Sequence, residues 1–155
     1  MKRLLFLFIF LVFPINASAN VIDLKVKSVT IGTSYSAVVR QLGKPLRSAN
    51  QGSFPCGDKL LTLYYSGLVI KLDGDGQKQN FSVVSIEITT AKWIPSKGIK
   101  IGSDLKNLQT KLGQPDNETK KSGLTNLSYF INDGEANFYF KNNKLTKIVW
   151  EENLC

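Results

Sequence analysis

Histidine is absent from the 155 residues, and no other absence removes as much chemistry. Without it a Ser-His or Cys-His nucleophile cannot be assembled, and a zinc site would need ligands the chain lacks. Cysteine is nearly absent too: Cys56 and Cys155 are the two present. Neither has an adjacent base or another feature that would lower a thiol pKa, so a reactive thiol is not expected. No glycine-rich loop of the Walker type occurs, and Gly74-Asp75-Gly76 falls between predicted strands instead of opening a helix. Asp73-Gly74-Asp75-Gly76 has the look of a calcium loop, but the twelfth position is Val84 where a bidentate Glu is needed. A hairpin turn is expected there. A carboxylate-pair hydrolase needs two facing acids, and Asp73 and Glu87 are the only strand candidates. Glu87 is expected to pair with Lys71 across the sheet instead. The expectation is a protein that is not an enzyme and carries no metal or cofactor.

Long apolar runs are scarce as well. The one from Leu4 to Pro14 follows Lys2 and Arg3 and precedes Ala17-Ser18-Ala19, small residues where a signal peptidase reads. This tripartite start predicts a signal peptide at 1–19 with cleavage before Asn20. The run is too short for a spanning helix of about twenty apolar residues. No Cys stands at the cleavage point, so a lipid anchor is not expected, and the localisation is periplasmic or secreted. In an oxidising compartment the two cysteines are expected to form one disulfide, Cys56–Cys155. Closing a loop of about 100 residues would contribute roughly 4.7 kcal/mol at most.

Acidic residues number 12 against 20 basic ones, and loss of Lys2 and Arg3 leaves 18 basic. A moderately basic exported chain is weakly attracted to anionic membrane surfaces or an acidic partner. Export separates it from most nucleic acid. The lysines are spread widely, with the densest set at Lys92, Lys97, Lys100 and Lys106, and read mainly as solvated surface. A monomer is expected.

What the chain does have is one stretch present twice. Ile31–Pro45 (IGTSYSAVVRQLGKP) and Ile101–Pro115 (IGSDLKNLQTKLGQP) share Ile, Gly, Leu, Gly and Pro at equivalent positions. Each reads as a short helix. Ser34 and Asp104 stand at N-cap positions, and apolar residues then recur at helical spacing. Gly43 and Gly113 should close the helices in the left-handed region, and Pro45 and Pro115 prevent continuation. Capping is a better account of Ser34 and Asp104 than catalysis.

After Pro45 the segment 46–58 reads as a loop. Strands follow at Lys59–Tyr65, Leu68–Asp73 and Phe81–Thr89, then again at Leu127–Ile131, Glu135–Lys141 and Lys144–Glu151. The fold class is α+β: two tandem units of a helix and an antiparallel sheet, at 20–90 and 99–155, joined by a linker at 91–98. An extended lead precedes each helix, with a short extra helix at Asp23–Ser28 as the alternative. Alternation turns Ile70, Leu72, Ile86, Ile88, Phe138, Phe140, Ile148 and Trp150 toward the helices. It leaves Lys71, Ser85, Glu87, Tyr139, Lys141, Lys147 and Val149 on the opposite face.

The repeated helix motif resembles that of the SmpA/OmlA family of envelope-assembly lipoproteins. In tandem it is similar to the β-lactamase inhibitor protein fold. The matching residues are Gly32, Thr33, Val38, Leu42, Gly43 and Pro45, with Gly102, Ser103, Leu108, Leu112, Gly113 and Pro115. The chain departs from the lipoproteins by lacking the lipid-bearing Cys and by being doubled. It departs from the inhibitor by lacking a bridge within each unit. The motif is structural, so no functional residue carries over. The resemblance and the open face together imply an exported binding module of the bacterial envelope that engages another envelope or secreted protein. The alternatives are an inhibitor or immunity protein that blocks an enzyme, and a small hydrolase with an unrecognised site. Expected binding residues are Tyr139 and Phe130 as anchors, with Val149, Lys141 and Lys147 around them; Trp93 is a further aromatic candidate.

Overall fold

The computed structural model describes residues 22–53, 59–132 and 134–152. The expected signal peptide at 1–19 and both cysteines, Cys56 and Cys155, lie outside the described residues.

The protein is α+β: one antiparallel sheet of eight strands with two short helices. Helix α1 (Tyr35–Leu42) is followed by β1 (Arg47–Ser53), β2 (Lys59–Tyr65), β3 (Leu68–Gly74) and β4 (Ser82–Ile88). Helix α2 (Leu105–Leu112) is followed by β5 (Asn117–Lys121), β6 (Leu124–Ile131), β7 (Gly134–Lys141) and β8 (Lys144–Glu152). The spatial order is β1-β2-β3-β4-β8-β7-β6-β5, so β4 and β8 join the two runs of strands into one sheet.

Two strands correct the sequence expectation. The segment 46–58, read as a loop, contains β1, and β5 had no counterpart in that reading. Their sequences, RSANQGS and NETKK, have almost no apolar content. Each lies at an edge of the sheet and is held by main-chain pairing to one neighbour. An edge strand that buries little side chain shows no apolar alternation, so the sequence carries no signal for it.

The apolar alternation of the inner strands is borne out. Ile70, Leu72, Ile86, Ile88, Phe138, Phe140, Ile148 and Trp150 are all buried in one core with Val38 of α1 and Leu108 of α2. Tyr35, Leu42, Leu105 and Leu112 pack against the same core, which places both helices on one side of the sheet. The segment 91–98 is tied down as well. Trp93 is buried, its indole N–H donates to Ser66 O (2.8 Å), and Ser96 exchanges hydrogen bonds with Asp23 and Lys25. Trp93 is therefore core and not a binding anchor. No helix forms at Asp23–Ser28, where Val26 and Val29 instead bond to each other across a tight turn.

The same hydrogen bonds recur around both helices. Gly32 N donates to Val83 O and Gly102 N to Leu145 O, at 2.7 and 2.8 Å. Tyr65 Oη donates to Gly43 O (3.1 Å) and Tyr129 Oη to Gly113 O (3.0 Å). The N-terminal caps differ. Ser34 Oγ accepts from Ala37 N, as expected, but Asp104 makes no such bond and its carboxylate pairs with Lys144 Nζ at 2.8 Å.

Gly43 and Gly113 do end their helices at positive φ, but not in the left-handed helical region. Their angles are φ 83, ψ −174 and φ 86, ψ −163. That region is open essentially to glycine alone. Gly43→Ala and Gly113→Ala should each lower stability by about 1–3 kcal/mol through backbone strain. A Cβ at either site meets nothing within 4 Å, so steric crowding is not the cause. Urea titration of the two variants checks this, and an unchanged midpoint in either would contradict it.

Burial pushes the Tyr129 phenol up to about 12 from the ordinary 10.0, with Asp116 adding to the effect, and Tyr65 is raised by burial in the same direction. Between pH 10 and about 12 the folded chain holds a proton on Tyr129 that the unfolded chain has lost. More protons bound in the folded state means that stability falls as pH rises through this window. Urea midpoints should therefore decline above pH 10.

Candidate functional site

The sheet face away from the helices is built from alternating residues of six inner strands, and register fixes who stands beside whom. One row runs Tyr64, Val69, Glu87, Val149, Asn137, Ser128 from β2 to β6. The next runs Thr62, Lys71, Ser85, Glu151, Glu135, Phe130. On the other flank of the second half, Lys147, Tyr139 and Asn126 lie side by side.

The predicted binding residues fall in this frame. Phe130 is 65% exposed, and Tyr139, Lys147 and Val149 are partly exposed. The Lys147 ammonium stands over the Tyr139 ring, 4.3 Å from its centroid. Lys141 is exposed at the end of β7, at the rim of the face. Tyr139 also forms one wall of a groove of about 330 Å³ shared with Thr119, Leu124 and Asn126, and Leu124 there is 52% exposed.

The expected Lys71–Glu87 ion pair is not found among the described residues. Register sets Lys71 opposite Ser85, with a bulge immediately beyond, while Glu87 lies between Val69 and Val149. Asp75 serves the turn after β3. Its carboxylate accepts from Gln77 N (2.8 Å) and Asn80 Nδ2 (2.6 Å), and these bonds hold it below the usual carboxylate range.

A polar cluster on the same face was missed. Asn137 Oδ1 accepts from Ser128 Oγ (2.7 Å) and Asn126 Nδ2 (2.8 Å), and Asn137 Nδ2 donates to Glu135 Oε2 (3.1 Å). Ser128 and Asn137 are buried, so this network forms a floor among taller side chains. Shared acceptors of this kind hold the rotamers of the face in place. Glu135 and Glu151 stand directly opposite each other. They share the alternation of Tyr139 and Val149, so continuing that pattern to the strand ends would have found them. Tyr139 is raised above the ordinary phenol value by burial first, then by Glu151, Glu135 and Glu87.

No family model and no curated protein matches this sequence. Solved structures do match. An extracellular protein containing an SCP domain from Bacillus anthracis str. Ames aligns over 79% of this chain at TM-score 0.54 and 14% identity. The alignment covers 44% of that protein, so this chain spans less than half its length. The uncharacterized protein YfeY from Escherichia coli aligns over 82% of this chain and 95% of its own, at TM-score 0.51 and 19% identity. A Streptococcus mutans protein provisionally described as a β-lactamase inhibitor covers 83% of this chain and 90% of its own, at 21% identity. Its TM-score of 0.33 is too low to add to the comparison. At such identities the first two likenesses show that this chain shares their fold.

Proposed function

We propose that the chain is an exported, non-enzymatic protein-binding module that engages another envelope or secreted protein through its open sheet face. The observation that carries this reading is Phe130, a large apolar side chain 65% exposed on a regular strand, on the same sheet face as the partly exposed Val149 and Tyr139. Exposed apolar groups gathered on one face mark interaction surfaces. Aromatic side chains on a rigid strand lose little conformational entropy when a partner covers them. Export rests on the tripartite segment 1–19, and the extracellular protein of like fold supports it.

The same proposal includes a two-unit architecture. The recurring bonds make Val83 the counterpart of Leu145. Four residues further along each strand, Glu87 becomes the counterpart of Val149, and these two are cross-strand partners. A pseudo-two-fold axis through the Glu87–Val149 pair relates the halves, and it emerges in the middle of the open face. The units differ there: Lys71 and Glu87 in the first are Tyr139 and Val149 in the second. Apolar groups replace charged ones in one copy only, which concentrates binding surface in the second unit.

Isolation of bound proteins from envelope extract, with the mature protein as bait, tests the reading. Phe130→Ala and Tyr139→Ala should each weaken capture by about 2 kcal/mol, roughly thirty-fold, with little change in melting temperature. Full capture by both variants would refute the open face as the binding site. A large fall in melting temperature for Tyr139→Ala would make that residue structural.

A further inference from the structure

Two carboxylates, Glu135 and Glu151, face each other across β7 and β8 on the open face, and a third, Glu87, lies diagonal to Glu151 on β4. Glu151 stands opposite Ser85 on one side and opposite Glu135 on the other, and Glu87 lies one step along β4 from Ser85 on the same face. Like charges directly opposite across strands are unfavourable. The described ion pairs are Lys25–Asp23, Lys120–Glu118 and Lys144–Asp104, none of which involves these three residues. The arrangement runs against composition, since the chain has 20 basic residues to 12 acidic ones. Tyr139 feels all three carboxylates, which resist its ionisation.

The neighbours define what could cover this place. Phe130 stands directly opposite Glu135, and Val149 directly opposite Glu87. An occupant must therefore bring positive charge and apolar surface within a few ångströms of each other. Lys71 flanks the carboxylates on one side and Lys147 on another. A broad cationic surface would be repelled by these two, whereas a single basic side chain fits between them. A guanidinium suits two carboxylates facing each other, because its planar fork can donate to both.

Resting on the open-face reading above, we propose that the partner is a protein loop that inserts one arginine or lysine among Glu87, Glu135 and Glu151. The residue beside that cation covers Phe130 with an apolar side chain. Charge matching of this kind supplies orientation and selectivity on a chain whose remaining surface repels basic partners.

The probe is acetyl-Gly-Leu-Arg-Leu-Gly-amide, titrated into the ¹⁵N-labelled mature protein at low salt and followed by amide shifts. Its citrulline counterpart has the same shape without the charge. Saturable shifts at Glu87, Phe130, Glu135, Val149 and Glu151 are expected. Affinity should fall about ten-fold or more with citrulline, and equally in the Glu135→Gln/Glu151→Gln double variant. That variant relieves like-charge repulsion and should melt no lower than the parent. No saturable shift, equal binding of the citrulline peptide, or shifts confined to the helix side would overturn the proposal. A concentration-dependent dimer dissolved by Glu151→Gln would assign the face to a second copy instead. In the envelope isolation, a Glu87→Gln/Glu135→Gln/Glu151→Gln bait that captures the same protein, while Phe130→Ala loses it, sinks the basic loop alone. Capture by both baits sinks the open-face reading with it.

Discussion

Trp150→Ala should lower the unfolding free energy by about 3–5 kcal/mol, as for other buried Trp truncations. Trp150 is fully buried in β8, paired with Ile86 on β4 and Ala136 on β7. It stands at the single strand pairing that joins the two runs of the sheet. Its partner Ala136 is too small to fill the space. Trp150 also lines a cavity of about 230 Å³ with Ile22, Leu24 and Ile131. Truncation would enlarge that void, and the cost of a large-to-small change rises with the cavity left behind. Trp150→Phe should be far milder. The indole N–H is buried without a hydrogen-bond partner among the described residues, and an unpaired buried donor is itself unfavourable by about 1–3 kcal/mol. Phe removes that donor while keeping most of the apolar area. Urea denaturation followed by circular dichroism compares the two. A loss below about 1 kcal/mol for Ala, or equal damage from Phe, would contradict the account.

Gly134→Ala is expected to cost about 3 kcal/mol, the upper end of what overpacking produces. The new Cβ would fall onto the Glu151 carbonyl and within 2.9 Å of Glu152 Cα. These are backbone atoms of the neighbouring strand β8, and they cannot rotate away. Relief at Gly134 requires β7 and β8 to separate locally, breaking pairs beside Glu135 and Glu151. The variant should therefore also disturb the acidic centre of the open face, seen as amide shift changes at both residues. A melting temperature within a degree of the parent would show that the strands absorb the methyl group without cost.

The helix ends and the core were legible in the sequence because each rests on local pattern. Ile70, Leu72, Phe138, Phe140 and the other inward residues alternate strictly, and a strand has only two faces on which to place them. Gly43 and Gly113 announced helix ends because glycine enters positive φ at least cost. Backbone closure decided the finer region they occupy, which the residue type alone could not indicate. The edge strands β1 and β5 were not legible. Their formation depends on the main chain of β2 and β6 being present beside them, not on their own side chains.

The candidate site divides the same way. Phe130, Tyr139, Lys147 and Val149 could be placed on one face by counting residues along single strands. Which of them are neighbours depends on cross-strand register, and register comes from hairpin geometry and bulges. The bulges beside Lys71 and Tyr139 shift that register where it matters. Only the assembled sheet could therefore separate Lys71 from Glu87, set Glu135 against Glu151, and bring β4 beside β8. The sequence by itself determined which side chains face outward along each strand. The tertiary structure decided which outward side chains meet, because those contacts join residues far apart in the chain.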